Sequence, residues 1–385
     1  MLKIAIDSRS ANLHAGSGIG TYTKNLVLNL INNIDCEFEL IWTGDYKCLN
    51  NRLKNTNVHL TSGRNNSFFE LNYVPNLLKE KKVDLYHIPQ NGIGFSFNSN
   101  LNTIVTIHDL IPYILPETVG KGYLERFLKD MPNIINNSRG IITVSEYSKK
   151  DILRFFPNYP ADNIYVTPLA ANNNYKPLNK LKCKEYISTK YKITDNFFLY
   201  IGGFSLRKNV KGLINAYMKI NKDLHSKYKL VIIGSLKDEG LSLKEYVKEN
   251  GFDNDVIFLG YIDDLELPIF YNSATAFIYP SLYEGFGLPP LEAMSCKCPV
   301  ITSNISSIPE VTKNNALLID PNDIDELAYS ILNIGNNSDL REEFTLKGYN
   351  ESMNYSWKKT ASLTLKIYKE IINSKECIKT INKKP

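Results

Sequence analysis

Cysteine, histidine and tryptophan are scarce in this chain, with six Cys, five His and two Trp among 385 residues. The cysteines are spread from Cys36 to Cys377 without framework spacing, which speaks against a disulfide-stapled secreted fold and fits a reducing cytoplasm. Cys296 and Cys298 lie close together, but no second Cys or His pair lies near them in sequence. Two small residues at a helix end account for them better than a metal site does. No apolar run approaches the roughly 20 residues that a membrane-spanning helix needs. The opening Met1-Leu2-Lys3-Ile4-Ala5-Ile6-Asp7 has the pattern of a buried strand and lacks the apolar core and cleavage site of a signal peptide, so a cytoplasmic protein is expected. Charge of one sign is not in large excess either. A net charge of +5 permits anionic substrates or an anionic membrane surface without demanding nucleic acid.

What is present is the composition of a globular protein, 43% hydrophobic and 22% charged, in a chain too long for one ordinary core. Strand-like apolar runs alternate with helical periods. In the first half, strands are expected at Lys3–Asp7, Phe38–Trp42, Val83–Ile88, Thr103–Ile107, Gly140–Val144 and Ile164–Thr167. Helices are expected between them at Gly20–Ile34, Phe69–Lys81, Tyr123–Asn136 and Glu146–Phe155. The polar stretch Ala170–Pro177 reads as a linker. The alternation then resumes, with strands at Phe197–Ile201, Lys229–Ile233, Val256–Leu259, Ala276–Tyr279, Val300–Thr302 and Ala316–Ile319. This is the pattern of an α/β protein with two parallel sheets, and ligands of such sheets bind beyond the carboxyl ends of the strands.

Three loops in those positions stand out. Gly16-Ser17-Gly18-Ile19-Gly20 opens the first helix, where glycines let backbone N–H groups approach a phosphate. Its spacing is not the dinucleotide fingerprint, and a flexible loop with a glycine cap is an even alternative. Gly202-Gly203-Phe204-Ser205-Leu206-Arg207-Lys208 joins the first strand of the second half to its helix. Two cations at a helix start cost folding stability unless an anion joins them, and a diphosphate would satisfy both. The third loop runs from Tyr279 through Glu284-Gly285-Phe286-Gly287-Leu288-Pro289-Pro290-Leu291-Glu292. Glu284 falls in the loop and Glu292 on the following helix, so the two carboxylates are not a same-face pair. They suit a sugar ring with ribose beyond it. Asp253-Asn254-Asp255 precedes a strand, at the wrong end for a ligand, and reads as a turn rather than as a metal–diphosphate chelate.

Glu284-x7-Glu292 within Glu-Gly-Phe-Gly-Leu-Pro-Pro-Leu-Glu-Ala-Met resembles the signature of the retaining glycosyltransferases of family 4, which have the GT-B fold. The similarity continues in the glycine loop, His108-Asp109-Leu110-Ile111-Pro112, Thr143-Val144-Ser145-Glu146, Arg207-Lys208, Ser306-Ser307-Ile308-Pro309-Glu310 and the closing Tyr355-Ser356-Trp357. It implies two Rossmann-like domains facing a central cleft. Residues 1–170 would form the acceptor-binding domain and 171–356 the nucleotide-sugar-binding domain, with a C-terminal helix at 357–373 crossing back to the first.

The resemblance also implies site roles. Arg207 and Lys208 would hold the donor diphosphate and stabilise the charge that builds as the sugar leaves. Glu284 would bind hydroxyls of that sugar, assisted by the N–H groups of Phe286, Gly287 and Leu288, and Glu292 would hold the ribose. Gly18, Ile19 and Gly20 would close over the phosphates. His108 would face the donor sugar, for positioning or for proton transfer. Many relatives carry an Arg where this chain has Gly203. No metal or other cofactor is implied.

The implied reaction is transfer of a hexose, with retention, from a nucleoside diphosphate sugar to a hydroxyl of a glycan or lipid-linked acceptor. The likeness is strongest to bacterial mannosyltransferases of surface polysaccharide assembly. That makes GDP-mannose the first donor to consider and leaves UDP-hexoses and dTDP-rhamnose open. A nucleotide-sugar epimerase and a non-catalytic carbohydrate-binding protein are the readings from other classes. Basic and aromatic residues at helical spacing in Lys121–Lys129, with Lys79, Lys81 and Lys82, make loose association with an anionic membrane a further expectation. A core-facing helix beside a solvated lysine cluster is its plain alternative.

Overall fold

The computed structural model describes residues 1–49, 54–62, 68–95, 101–224 and 228–381. The chain divides into two compact units. The first comprises Met1–Ile114, Gly120–Leu169 and the chain from Ser356 onward, and the second comprises Leu115–Val119 and Ala170–Tyr355.

The first unit is built on a seven-stranded parallel sheet: β1 (Leu2–Asp7), β2 (Cys36–Thr43), β3 (Thr56–Thr61), β4 (Leu85–Ile88), β5 (Thr103–Ile107), β6 (Gly140–Thr143) and β7 (Ile164–Val166). Its spatial order is β3-β2-β1-β4-β5-β6-β7. The second unit has six strands, β8 (Asn196–Ile201), β9 (Tyr228–Ile233), β10 (Val256–Gly260), β11 (Ala276–Tyr279), β12 (Val300–Ser303) and β13 (Leu317–Ile319), in the order β10-β9-β8-β11-β12-β13. In both, the strand order reverses beside the unit's first strand, at β1/β4 and at β8/β11. That reversal opens a crevice at the carboxyl ends of the two strands.

Helices cover both faces, so the central strands are buried on both sides and read as unbroken apolar runs. Phe198, Leu199 and Tyr200 in β8 and Phe277, Ile278 and Tyr279 in β11 are fully buried. Tyr279 stacks on Tyr200 with ring centroids 6.0 Å apart, and on Phe277 at 5.8 Å. Burying each such side chain contributes about 1.5–3 kcal/mol, which makes these strands the stable frame from which the loops project.

The expected strands form. The short helices Ser10–Leu13, Ile111–Ile114 and Ile308–Thr312 were not anticipated, nor were two larger elements. β3 is an edge strand whose residues Asn57 and His59 bond the buried Glu39, with His59 Nε2 2.5 Å from its carboxylate. A helix at Lys180–Tyr191 follows the linker, capped by the Asn179 side chain. The linker itself is packed, with Tyr175 buried in the second core. Helix Trp357–Ile381 belongs to the first unit. Tyr368 reaches His87 Nδ1 at 2.5 Å, and Thr360 donates to the Pro168 carbonyl at 2.6 Å. A Cβ on Gly140 would lie 2.5 Å from Ile371 Cδ1, so glycine there lets this helix sit against β6.

Candidate functional site

At the carboxyl end of β8 the chain turns through Gly202 and Gly203. The Tyr200 hydroxyl donates to the Gly203 carbonyl at 2.6 Å, and a Cβ on Gly234 would come within 2.1 Å of the Gly202 carbonyl. This pins the turn and delivers Arg207 and Lys208 on a short 3-10 segment, Leu206–Lys208, just before helix Val210–Leu224. The side chains reach across to the loop after β11. Arg207 Nη1 donates to Glu284 Oε1 at 3.0 Å and to the Tyr283 carbonyl at 3.0 Å. Lys208 Nζ donates to the same Glu284 Oε1 at 2.6 Å and to the Tyr279 hydroxyl. Tyr279 and Ser281 donate to Glu284 Oε1 at 3.0 and 2.6 Å. One carboxylate oxygen thus gathers four donors, two of them cations.

Burial alone would raise the Glu284 pKa. Lys208 and Arg207 outweigh it and hold the group at about 2, so it is ionised at neutral pH. The anion that offsets the two cations here is Glu284 of the protein itself. The side chains of Lys208 and Glu284 are only 12% and 11% exposed.

The loop around Glu284 is fixed by residues whose role the sequence did not reveal. Ser307 Oγ donates to the carbonyls of Glu284 and Phe286 at 2.8 and 2.9 Å, and Glu284 N donates to Ser306 Oγ at 3.2 Å. Ser303 holds the Ser281 carbonyl at 2.6 Å. Gly287, at φ +105°, caps helix Leu288–Ser295, and a Cβ on it would strike Ile308 Cδ1 at 2.6 Å. Phe286, Gly287 and Leu288 therefore stand at the start of that helix, where amides and dipole favour negative partial charge. Glu292 lies further along it, half-buried, 3.4 Å from the Tyr271 hydroxyl. Burial, reinforced by Asp264, pushes its pKa up to about 8.

In the first unit, Gly18, Ile19 and Gly20 form the opening turn of helix Gly18–Leu30 rather than an open loop, and the Gly20 N–H is taken by Ser17 Oγ at 3.2 Å. A Cβ on Gly20 would lie 2.1 Å from the His14 carbonyl, so close packing against the turn Ser10–Leu13 requires glycine there. His108 follows β5. Its Nε2 lies 2.8 Å from the Pro89 carbonyl, which can only accept, so Nε2 carries the proton and Nδ1 the lone pair. Burial lowers its pKa to about 4. A neutral imidazole suits positioning better than delivery of a proton. Ser145 caps helix Glu146–Phe155 by accepting from Ser148 N at 3.0 Å.

The crevice at β1/β4 holds a cluster missed in sequence. Arg9 grips Asp7 with two bonds, Nε to Oδ1 at 2.8 Å and Nη2 to Oδ2 at 2.7 Å. Gln90 Nε2 donates to Asp7 Oδ2 at 3.0 Å, and Arg9 Nη2 reaches Glu70 at 3.3 Å. Burial opposes the Arg9 charge, but Asp7 outweighs it and raises the pKa above its ordinary value. The available signal was a lone Asp-x-Arg at the end of the first strand.

Residues 184–351 match the family model of the group 1 glycosyl transferases, and 16–173 that of glycosyltransferase family 4. O-antigen chain mannosyltransferase B of Escherichia coli is 35% identical over 294 residues, 76% of each chain. The chain belongs to the family 4 glycosyltransferases. Another relative of the enzyme, O-antigen chain mannosyltransferase RfbU of Salmonella typhimurium, is 33% identical over 60% of this chain and 61% of its own. The fold of the glycosyltransferase is GT-B: the crystal structure of Anabaena HepE with UDP-glucose superposes at a TM-score of 0.73, covering 98% of this chain and all of that one, at 16% identity. Membership in a family of transferases sets the epimerase reading aside. Among the described residues, no helix is long and apolar enough to cross a membrane, and no group of three or more His, Cys, Asp or Glu could hold a metal ion. Asp255 of the Asp253-Asn254-Asp255 turn pairs with Lys229 at 2.8 Å, at the amino end of β10.

Proposed function

We propose that this glycosyltransferase moves mannose from GDP-mannose to a hydroxyl of a glycan or lipid-linked glycan in cell-surface polysaccharide synthesis, with retention at the anomeric carbon. The observation that carries the proposal is the convergence of Arg207 and Lys208 at the β8/β11 reversal. Cations shared on a single carboxylate oxygen can turn to a diphosphate while Glu284 turns to sugar hydroxyls. As the bond from the anomeric carbon to the phosphate oxygen breaks, negative charge grows beside Arg207 and Lys208. The acceptor oxygen bonds to that carbon from the same face, and its proton passes to the leaving phosphate. Preorganised cations act most strongly where charge develops. Glu292 takes the ribose, the amides of Phe286, Gly287 and Leu288 assist at the sugar, the Gly18–Gly20 turn serves the phosphates, and neutral His108 holds a hydroxyl.

Support for mannose comes from the two O-antigen mannosyltransferase relatives. A UDP-hexose or dTDP-rhamnose donor is the second reading, and HepE with UDP-glucose favours a uridine donor. Incubating the protein with GDP-mannose and candidate oligosaccharides, and reading the product's anomeric signals by NMR, tests both reaction and stereochemistry. An α-mannosyl product is expected, and an inverted product or turnover only with a uridine donor would overturn this reading. Transfer is proposed to run without a divalent metal, so EDTA should leave the rate unchanged. Loose membrane association through the outer face of helix Lys121–Asn137, where Leu128 is exposed, is part of the proposal. Failure to float with anionic liposomes at low salt would remove that part.

A further inference from the structure

The first unit contains a cavity of about 470 Å³ to which the reading above gives no role. One wall is Asn91–Phe95, leaving the carboxyl end of β4, and another is helix Lys121–Asn137, which presents Tyr123, Arg126, Phe127 and Asp130. Glu70 lines it from a π-helical turn, Phe69–Tyr73, a distortion that concentrates at functional sites. The wall rests directly on the Asp7–Arg9 pair: at Gly94, φ +97°, a Cβ would come within 2.7 Å of Arg9 Nη2 and 3.1 Å of Asp7 Oδ2. Arg9 thereby holds one oxygen of Glu70 at 3.3 Å, while the other lies 3.8 Å from Arg126 Nη2. Arg126 Nε in turn lies 3.5 Å from Asp130.

The lining combines three aromatic rings, Phe95, Tyr123 and Phe127, with Glu70, Arg126 and Asp130, which partner one another, and with the exposed Lys129. Such a surface suits a neutral polyhydroxyl ring, whose hydroxyls donate to carboxylates and accept from a guanidinium while its C–H face lies on an aromatic ring. It suits a phosphate poorly, since two carboxylates line it, Arg126 is already shared between them, and the remaining cation, Lys129, is exposed to solvent. The volume falls in the range of roughly 300–1,000 Å³ usual for small-molecule sites. Asn91, a lining residue, accepts from the His108 N–H at 2.8 Å, so the cavity adjoins the loop that carries His108.

We propose that this cavity is a subsite for one uncharged sugar residue of the acceptor glycan, with Glu70 reading its hydroxyls and Tyr123 its apolar face. The assignment rests on the transferase reading. Its test uses the full chain, with Glu70→Gln and Tyr123→Ala beside the parent. Binding of manno-, gluco-, galacto- and N-acetylglucosamine oligosaccharides is followed by saturation-transfer NMR, with inorganic pyrophosphate as the competing probe. Both variants should lose oligosaccharide binding and raise acceptor KM about tenfold or more, the scale of one charge-assisted hydrogen bond or a buried ring contact. Nucleoside diphosphate affinity and slow acceptor-free donor hydrolysis should not change. Tyr123 is 43% exposed, so Tyr123→Ala should keep the parent's melting temperature. The proposal is overturned if a folded Tyr123→Ala binds and uses oligosaccharide like the parent, if the parent binds nucleotide but no oligosaccharide, or if pyrophosphate displaces the sugar. Loss of donor binding and hydrolysis in the parent would instead strike at the transferase reading.

Discussion

The two units have the same sheet reversal, and each places buried charge at the carboxyl ends of the two strands beside it, but they pair it differently. At β1/β4, Arg9 takes both oxygens of Asp7, with side chains 3% and 0% exposed. At β8/β11, Arg207 and Lys208 share a single oxygen of Glu284, with side chains 20%, 12% and 11% exposed. A bidentate, dry pair is a closed unit and serves to hold its neighbours, here the π turn of Glu70 and the Gly94 wall. Two cations on one oxygen at the edge of solvent form a pair that an incoming phosphate can rearrange. One fold has thus made a closed version of the charge cluster and, under the proposed function, a reactive one.

Breaking the closed pair should have the largest effect, and on stability. Arg9→Ala strands Asp7 and Glu70, and removing one partner of a buried pair costs about 3–5 kcal/mol. A marked fall in the urea unfolding midpoint is expected, with unchanged nucleoside diphosphate affinity in the protein that remains folded. Lys208→Ala should act oppositely, lowering kcat by about two to three orders of magnitude while most of the fold is retained. Steady-state kinetics beside a thermal melt separates the two, and a Lys208→Ala enzyme with parental kcat would erase the contrast.

Glu292 sharpens the comparison through pH. Its folded pKa of about 8 lies above the ordinary carboxylate value, so between pH 4.5 and 8 the folded protein binds more protons than the unfolded chain. This group's contribution to stability therefore falls as pH rises through that window. Ribose hydroxyls donate to the ionised form, so nucleotide binding near pH 7 should release a proton, and affinity should climb up to about tenfold toward pH 8. Calorimetry in buffers of different ionisation enthalpy measures the proton, and Glu292→Gln should abolish the release. The smallest effect is expected from Gly203→Arg. A Cβ there meets nothing within 4 Å, so a third cation can be added without crowding. Nucleoside diphosphate affinity should improve by several-fold, and no gain at low salt would count against a phosphate lying beside this turn.

The strands were legible because parallel strands covered on both faces read as apolar runs, as Phe197–Ile201 does. β3 was not, because an edge strand mixes Thr, Asn and His with Val and Leu and resembles a loop. Helix Lys180–Tyr191 escaped notice because it buries only Cys183 and Ile187. At the candidate site, Arg207, Lys208, Glu284 and Glu292 stood out through position after a strand and unusual loop composition. Their mutual pairing did not, since Lys208 and Glu284 are 76 residues apart. The place of Glu70 in the Asp7–Arg9 cluster was hidden for the same reason: it lies 61 residues from Arg9 and is carried on a π turn. At Gly20 the sequence did not show that glycine also answers a packing demand, the close approach of the His14 carbonyl.

The claim that Arg207 and Lys208 exchange Glu284 for a donor phosphate is tested most directly by calorimetric titration of GDP, UDP and dTDP into the parent, Lys208→Ala and Glu284→Gln. Losing a charge-assisted bond to phosphate should weaken binding to Lys208→Ala about tenfold or more. Glu284→Gln, which keeps the shape but releases the cations, should bind nucleoside diphosphate as tightly as the parent or more tightly. Parental affinity in Lys208→Ala, or loss of nucleotide binding in a folded Glu284→Gln, would contradict the account.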